Sequence, residues 1–247
     1  RGARIGRAKT VGEVRRAVEE TLGIPWVNPI VADRNGDILH ADVTAVPNLT
    51  AEKIKACATP FSALAASLAT MLDGSRAECD WDVAEGTPVP GLLPAASQAV
   101  YARRDYVTNS NDSYWMSNAS APHKPLSPIL GNAESALSLR TRSNFIELGH
   151  LLNGEGGKPG VKIDHKVAHE LTFGNKSLAA DLAVGPLLEL CRGKAEVARG
   201  CAALEGWDRQ FNLDSRGAYL FTVFWKAVHK MPGLWAVKFD VADPIHT

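Results

Sequence analysis

The sequence lacks any apolar run that approaches the roughly 20 residues a helix needs to cross a bilayer. It also lacks a charge excess of either sign, because Lys and Arg total 27 and Asp and Glu total 27. Without a basic excess, nothing in the composition predicts binding to nucleic acid or to an anionic membrane surface. The chain opens Arg1-Gly2-Ala3-Arg4 without an initiating Met, which is typical of the interior of a longer polypeptide. A processed precursor, a nicked subunit or an incomplete sequence would each explain that opening.

The common signatures of hydrolases and metal sites are missing as well. No Ser stands in a Gly-x-Ser-x-Gly elbow, no Cys/His pairing is visible, and no CxxC spacing predicts a zinc site. His165 and His169 stand four apart on a predicted helix and could share a metal, but a solvated helix face is the alternative. We therefore predict no cofactor, although a calcium ion is left open, and no nucleophile is identified within the chain.

Cysteine is scarce, with four residues at Cys57, Cys79, Cys191 and Cys201. Four cysteines allow three connectivities. The sequential pairing, Cys57 with Cys79 and Cys191 with Cys201, closes two short loops, and we favour it together with an oxidising compartment. Four buried free thiols in a cytosolic protein are the alternative.

The first half of the chain predicts a mixture of helix, strand and loop. Apolar residues at helical spacing predict a helix over 10–22, capped by Thr10 and ended by Gly23. Asn35-Gly36 between two apolar runs predicts a hairpin, and Pro29 places its first strand at a sheet edge. A short helix over 61–72 and a long loop over 73–98 follow.

The second half is predominantly helical from 143 to about 230, where apolar residues recur at helical spacing. The tail over 231–247 predicts a returning strand, because apolar and polar residues alternate from Leu234 to Val241. The fold class predicted from these patterns is α+β. It divides into a mixed part over 1–142, a helical part over 143–230 and the final strand.

The most informative segment spans residues 106–118. Tyr106-Val107-Thr108 has strand character and gives way to the polar cluster 109–113, which Tyr114 and Trp115 close. Side-chain amides at the end of a strand can donate hydrogen bonds into a cleft, which amide cleavage requires where negative charge develops on a carbonyl oxygen. Asn, Asp and Ser are also common turn residues, so an Asx-rich turn remains the alternative.

Other polar residues offer weaker candidates. Asp33, Asp37 and Asp42 flank the hairpin and could serve acid–base chemistry, although turn and edge acids are the commoner interpretation. Trp26 is either a core residue or the wall of an apolar pocket.

Several segments together resemble one family. They are Gly23-Ile-Pro-Trp-Val-Asn28, Ala32-Asp33 with Asn35-Gly36, Leu72-Asp-Gly-Ser75 with Cys79-Asp-Trp81, the run from Arg104 to Trp115, Ser138-Leu-Arg-Thr-Arg142, and Trp207-Asp208 with Ser215-Arg-Gly-Ala218. In this order they resemble the β subunit of penicillin-acylase-type N-terminal nucleophile hydrolases. The similar branch is that of acyl-homoserine-lactone acylases and aculeacin-type lipopeptide acylases.

The resemblance implies an αββα fold and a precursor that cuts itself to expose an N-terminal Ser. That Ser is the nucleophile, and its α-amino group, with a pKa near 8, is the base. By position in the motif Asn111 is the oxyanion-hole residue, with Asn109 the weaker candidate in the substrate site. Arg140 braces the site, with Arg142 as alternative, and Trp26 lines the acyl pocket.

Because no catalytic Ser heads this sequence, the resemblance implies companion chains from the same precursor: an α subunit and the β segment with the N-terminal Ser. Export to the periplasm or secretion is also implied. The expected reaction is removal of the acyl chain from N-acyl-homoserine lactones (quorum quenching), with β-lactams as further candidate substrates. A penicillin or cyclic lipopeptide acylase is the alternative within the class. A non-catalytic ligand-binding module that keeps the fold is the alternative outside it.

Overall fold

The computed structural model describes residues 2–24, 27–65, 69–153 and 163–247. The chain divides into two compact units, Arg1–Ser135 and Ala136–Thr247. This boundary falls N-terminal to position 142, where the sequence suggested a change of character. The first unit contains the sheet and the second is built from helices, so the α+β class predicted from the sequence is confirmed.

The first unit combines short helices with a three-stranded antiparallel sheet of order β1-β2-β3. Its strands are β1 Ile30–Ala32, β2 Ile38–Asp42 and β3 Ala99–Arg103. Its helices are α1 Gly2–Ile5, α2 Val11–Glu19, α3 Ala51–Ala56 and α4 Ser62–Ala65. Single 3₁₀ turns follow at Ala77–Cys79, Ala95–Ser97 and Pro128–Leu130.

Helix α2 forms where capping and periodicity predicted it. The Thr10 side chain accepts a hydrogen bond from the Glu13 N–H at 3.2 Å and so satisfies one of the unpaired donors of the first turn. Val11, Val14 and Val18 form a buried stripe that packs with residues of β2 in one apolar core. The helix ends at Glu19 rather than at Gly23, because the last residues before Gly23 form a turn, with Leu22 at φ 43°.

The hairpin forms at Asn35-Gly36 as predicted, with Val31 opposite Leu39. Gly36 has a φ of 81°, which a side chain would strain. Since β2 pairs with β3 on its other side, β1 is the edge strand, as Pro29 indicated. The Asp33 carboxylate accepts from the backbone N–H of Asn35 in the hairpin turn and from that of Val11 at the start of α2. The turn and the helix are thereby joined.

The region between β2 and β3 is mostly loop. Helix α3, capped by Thr50, was not predicted, and the helix expected over 61–72 is limited to α4 in the described part, since 66–68 lie outside it. The Cys57–Cys79 disulfide joins the end of α3 to the loop that follows α4, and both half-cystines are buried. The loop predicted over 73–98 is present, with two 3₁₀ turns inside it.

The second unit consists of α5 Leu139–Asn153, α6 His165–Phe173, α7 Leu178–Cys191, α8 Ala198–Glu205 and α9 Ala218–Val228. Helices α7, α8 and α9 share a core of Ala180, Val184, Leu204, Trp207 and Phe221. The Trp207 and Phe221 rings lie 5.1 Å apart between centroids. The Cys191–Cys201 disulfide joins α7 to α8, so the structure has the sequential pairing that the sequence favoured.

The strand predicted in the tail was wrong. Residues 229–247 form turns and bends, and Trp235, Val237 and Val241 are exposed. A strand requires the backbone of another strand to pair with, and the alternation of side chains does not supply one. Local hydrogen bonds are made instead, such as that from the Ala242 N–H to the Asp240 carboxylate at 2.9 Å.

Candidate functional site

The polar motif follows the sheet without being part of it. Strand β3 ends at Arg103, and residues 104–109 form bends and coil, so the strand character predicted for Tyr106-Val107-Thr108 was wrong. The Thr108 N–H donates to the Ser117 carbonyl at 2.9 Å instead. That bond closes residues 108–117 into a loop whose N-terminal side contains Asn109 and Asn111.

The C-terminal side of this loop is buried. Tyr114, Trp115, Met116, Ser117 and Asn118 are all no more than 4% exposed. The Tyr101 hydroxyl, from β3, donates to the Trp115 carbonyl at 2.7 Å and accepts from the His123 N–H at 3.2 Å. A single phenol from the sheet therefore holds the backbone on two sides of the buried segment.

His40 supports the same segment from β2. It is completely buried, and its Nδ1 lies 2.8 Å from the Ser117 hydroxyl. Burial, followed by the nearby His123, lowers the pKa of His40 from 6.5 to about 4. Burial likewise lowers the pKa of His123. Both imidazoles are therefore neutral at pH 7.

Asn118 closes the base of the loop with its whole carboxamide. Its Nδ2 donates to the Asp105 carboxylate at 3.1 Å and to the Tyr106 carbonyl at 2.9 Å. Its Oδ1 accepts from the backbone N–H and the hydroxyl of Ser120. Arg103 donates to both carboxylate oxygens of Asp105 and holds the pKa of that acid well below its usual range. All four hydrogen-bonding positions of this buried amide are thus used.

The two candidate amides, Asn109 and Asn111, lie on the N-terminal side of the loop, where Asn109 is half-buried. Asn111 is exposed and has a φ of 64°, in the left-handed region that Asn tolerates better than most residues. The Asn109 Oδ1 accepts from the Asn111 N–H at 2.9 Å, which is an Asx turn. It also accepts from Nδ2 of Asn28 at 3.3 Å. The turn that sequence reasoning held as an alternative is therefore present.

The two candidate arginines lie in the second unit, in the first turn of α5. Arg140 is exposed, whereas Arg142 is half-buried and its Nε donates to the Ile245 carbonyl at 2.6 Å. Burial lowers the pKa of Arg142, and Asp243 opposes that effect. Arg142 therefore holds the C-terminal segment.

The remaining candidates from the sequence are not grouped into a catalytic site among the described residues. Trp26 lies outside the described residues. Asp33 caps the hairpin turn, and Asp37 forms an ion pair with Arg104 at 2.8 Å. Burial raises the pKa of Asp42. Among the described residues, no three His, Cys, Asp or Glu side chains are grouped to hold a metal ion.

Sequence reasoning missed the residues that support the loop. No role was predicted for His40, Asn28 or Ser117. His40 contacts Ser117 across 77 positions, and Asn28 contacts Asn109 across 81 positions, because the chain is folded into the sheet. In the described ranges, no helix has both the length and the apolar character that crossing a bilayer demands.

Asn side chains are among the hydrogen-bond donors that enzymes of acyl transfer use to stabilise an oxyanion. The family model of penicillin amidase matches residues 2–242. Since this match covers nearly the whole sequence, the chain belongs to the penicillin amidase family.

Individual relatives agree with this assignment. Aculeacin-A acylase of Actinoplanes utahensis is 37% identical over 256 residues, which cover 99% of this chain and 32% of that protein. Acyl-homoserine lactone acylase PvdQ of Pseudomonas savastanoi pv. phaseolicola is 32% identical, covering 98% of this chain and 31% of that protein. PvdQ of Pseudomonas putida is 31% identical, with 98% and 30% covered. The chain thus spans about a third of the length of the curated relatives it matches.

Proposed function

We propose that this chain is part of an N-terminal nucleophile amidohydrolase that removes the acyl chain from N-acyl-homoserine lactones. Membership of the penicillin amidase family supports the reaction class, and the relatives named acyl-homoserine lactone acylase support the substrate. In this proposal the nucleophilic Ser lies outside residues 1–247, at the N-terminus of a companion chain cut from the same precursor. An α subunit completes the assembly.

The chemistry assigned to the assembled enzyme is acyl transfer through a covalent intermediate. The Ser hydroxyl attacks the amide carbonyl while its own α-amino group accepts the proton. Asn111 Nδ2 and a main-chain N–H donate to the oxyanion that forms. Collapse of the intermediate breaks the C–N bond, and the α-ammonium returns the proton to the departing amine. Water then hydrolyses the acyl-enzyme by the same route.

The placement of Asn111 is the observation that carries this proposal. It is exposed in a loop whose C-terminal side is buried and held by hydrogen bonds of Tyr101, His40 and Asn118. A donor for an oxyanion must be reachable by substrate and already oriented, since reorientation during the reaction would forfeit its benefit. Removing one such donor costs about 3 kcal/mol of transition-state stabilisation.

Arg140 is assigned the bracing role, with Arg142 as the alternative. The contact of Arg142 with the Ile245 carbonyl commits its guanidinium to the end of the chain. Arg140 is exposed in the same turn of α5, and a planar guanidinium is suited to hydrogen-bond a polar group of the site.

A second candidate function is removal of the acyl chain from a cyclic lipopeptide. It is favoured by the 37% identity with an aculeacin-A acylase, which exceeds the 30–32% identity with the PvdQ proteins. Trp26 is assigned to the wall of the acyl pocket in either case. For both functions we place the enzyme in the periplasm or outside the cell, which the two disulfides support.

The decisive experiment is Asn111→Ala in the full-length protein, assayed with acyl-homoserine lactones, a cyclic lipopeptide and penicillin G. We expect kcat to fall about 100- to 1,000-fold on the preferred substrate, as for loss of an oxyanion donor. Asn35→Ala, at an exposed hairpin turn, is the matched control and should keep normal turnover.

Mass spectrometry of the purified protein tests the assembly. Companion chains, one with an N-terminal Ser, support the enzyme, whereas a single inactive polypeptide supports a ligand-binding module. Full turnover by the Asn111→Ala protein rules out the oxyanion assignment.

A further inference from the structure

The carboxamide of Asn109 is oriented by an atom that can only donate. The Asn111 backbone N–H points to it at 2.9 Å, so the Asn109 atom facing it must be the oxygen. The side-chain atom of Asn28 that approaches the same oxygen at 3.3 Å must then be its Nδ2. The orientation of both amides follows from this one contact.

Asn28 is itself held by the sheet. It lies two residues before the start of β1. The Pro29 carbonyl between them accepts from the Ala41 N–H at 3.2 Å, which extends the pairing of β1 with β2 beyond the strand end. Asn28 is half-buried, as is Asn109. A short path of backbone pairing and two hydrogen bonds thus connects the sheet edge to Asn111.

The Asn111 backbone depends on this support. Its left-handed φ of 64° is an uncommon conformation for any residue with a side chain, and it persists where surrounding contacts determine it. The bond from the Asn111 N–H to the Asn109 oxygen is such a contact. If that bond were lost, the backbone at 111 could relax toward the ordinary regions, and its carboxamide would move with it.

We propose that Asn109 and Asn28 are positioning residues for Asn111, and that Asn109 acts through its oxygen rather than as a donor to substrate. This inference rests on the proposed function, in which Asn111 donates to the oxyanion. It departs from the expectation that Asn109 contacts substrate or substitutes for Asn111. The oxygen of Asn109 is the functional atom because both of its described hydrogen bonds converge there.

Substitutions at position 109 distinguish a role of this side chain as hydrogen-bond acceptor from a role as donor. Asn109→Asp and Asn109→Ser keep an oxygen that can accept from the Asn111 N–H, while Asn109→Ala has none. In the full-length enzyme we expect Asn109→Ala to lower kcat about 30- to 100-fold with little change in KM, as for a misplaced catalytic group. Asp and Ser should restore kcat to within about tenfold of the unsubstituted enzyme, because the Asx or Ser turn is kept.

Substitutions at 28 test the second contact. Asn28→Ala removes one of the two donors to the Asn109 oxygen and should lower kcat by about three- to tenfold, because the turn to Asn111 remains. Asn28→Asp sets a carboxylate against that oxygen and should reduce kcat at least as much. Asn35→Ala, an exposed Asn of the same unit, is the control.

The inference and the proposed function fail in different ways. If Asn111→Ala keeps full turnover, the proposed function falls. If Asn111→Ala is inactive but Asn109→Asp is as impaired as Asn109→Ala in a correctly processed assembly, Asn109 is a donor and the positioning role is wrong. Mass spectrometry of the companion chains and the Tm establish that assembly. If Asn109→Ala fails to assemble, Asn109→Asp and Asn28→Ala test the positioning role instead. Normal assembly of both variants with kcat near the expected values supports the inference. Loss of kcat by an assembled Asn109→Asp enzyme overturns it.

Discussion

Acidification should destabilise the protein through His40. This imidazole is completely buried between β2 and the segment that carries Ser117, and its Nε2 has no hydrogen-bond partner among the described residues. Protonation would place a charge and an unpaired N–H in that interior. The titratable side chains whose rings lie nearby, Tyr101 and His123, supply no negative charge at neutral or acidic pH.

The magnitude follows from linkage. The unfolded chain protonates this residue below pH 6.5, whereas the folded protein does so only near its lowered pKa of about 4. Between these values the unfolded state binds more protons, so stability that is fully present above pH 6.5 is lost as the pH falls toward 4. The total loss is about 3 kcal/mol, because one pKa unit corresponds to about 1.4 kcal/mol. His123 adds to the loss, since burial lowers its pKa as well.

The assay is urea denaturation of the assembled protein at several pH values between 7 and 4, with and without His40→Gln. Gln keeps a polar group near Ser117 but does not titrate. The unfolding free energy of the protein with His40, minus that of His40→Gln, should fall by about 3 kcal/mol as the pH is lowered from 7 to 4. His169→Gln, at an exposed position of α6, controls for loss of an imidazole as such. If the pH profiles with and without His40 run parallel, the buried neutral imidazole is not the source of acid sensitivity.

Two further predictions concern stability. Replacing Cys57 and Cys79 together by Ala opens a loop of 22 residues and should lower the unfolding free energy by about 3 kcal/mol, read as a shift in the urea midpoint; an unchanged midpoint would contradict it. Gly217→Ala should cost about 2–4 kcal/mol, because φ is 111° and the new Cβ would lie 2.7 Å from the Trp207 Cβ. Gly149→Ala, where a Cβ meets nothing within 4 Å, is the control and should stabilise α5 slightly; equal effects at the two glycines would refute the steric argument.

The elements that could be predicted from the sequence are those decided by neighbouring residues. Thr10 caps α2 through a residue three positions away, and Asn35-Gly36 joins strands that adjoin it. Such signals act within one turn of helix or one hairpin, so a short window of sequence contains all of the residues that interact. The two disulfides, closing loops of 22 and 10 residues, belong to the same local class.

The tail shows where this reasoning stops. Leu234–Val241 alternates as a strand does, yet alternation describes only which side chains share a face. Whether a strand forms depends on the backbone of a second strand, and within residues 229–247 the structure has none. Asp240 is one of the polar positions of this alternation. Its carboxylate accepts from the Ala242 N–H and so stabilises a local turn.

For the candidate site, residue type predicted the motif but not its support. Asn109 and Asn111 stand out because two amides one residue apart in a polar cluster are chemically specific. His40 and Asn28 do not stand out, because each is an ordinary residue in or beside the hairpin. In the folded protein His40 contacts Ser117, 77 positions away, and Asn28 contacts Asn109, 81 positions away. Contacts of that separation leave no periodicity to detect, and a buried His is invisible in a sequence that does not reveal which face of a strand is covered.

The motif also shows that a turn and a site need not be alternatives. Asn109 makes the Asx turn that the composition indicated, and that turn holds Asn111 in the left-handed conformation. The Asn109 oxygen accepts from the Asn111 N–H and from the Asn28 side chain, while the residue that it holds is exposed. If Asn111 is the oxyanion donor, the turn made by Asn109 is what holds the Asn111 backbone in the conformation that its role requires. Substitutions at 109 should therefore follow the rules of turn chemistry, with Asp and Ser tolerated, rather than the rules of substrate recognition.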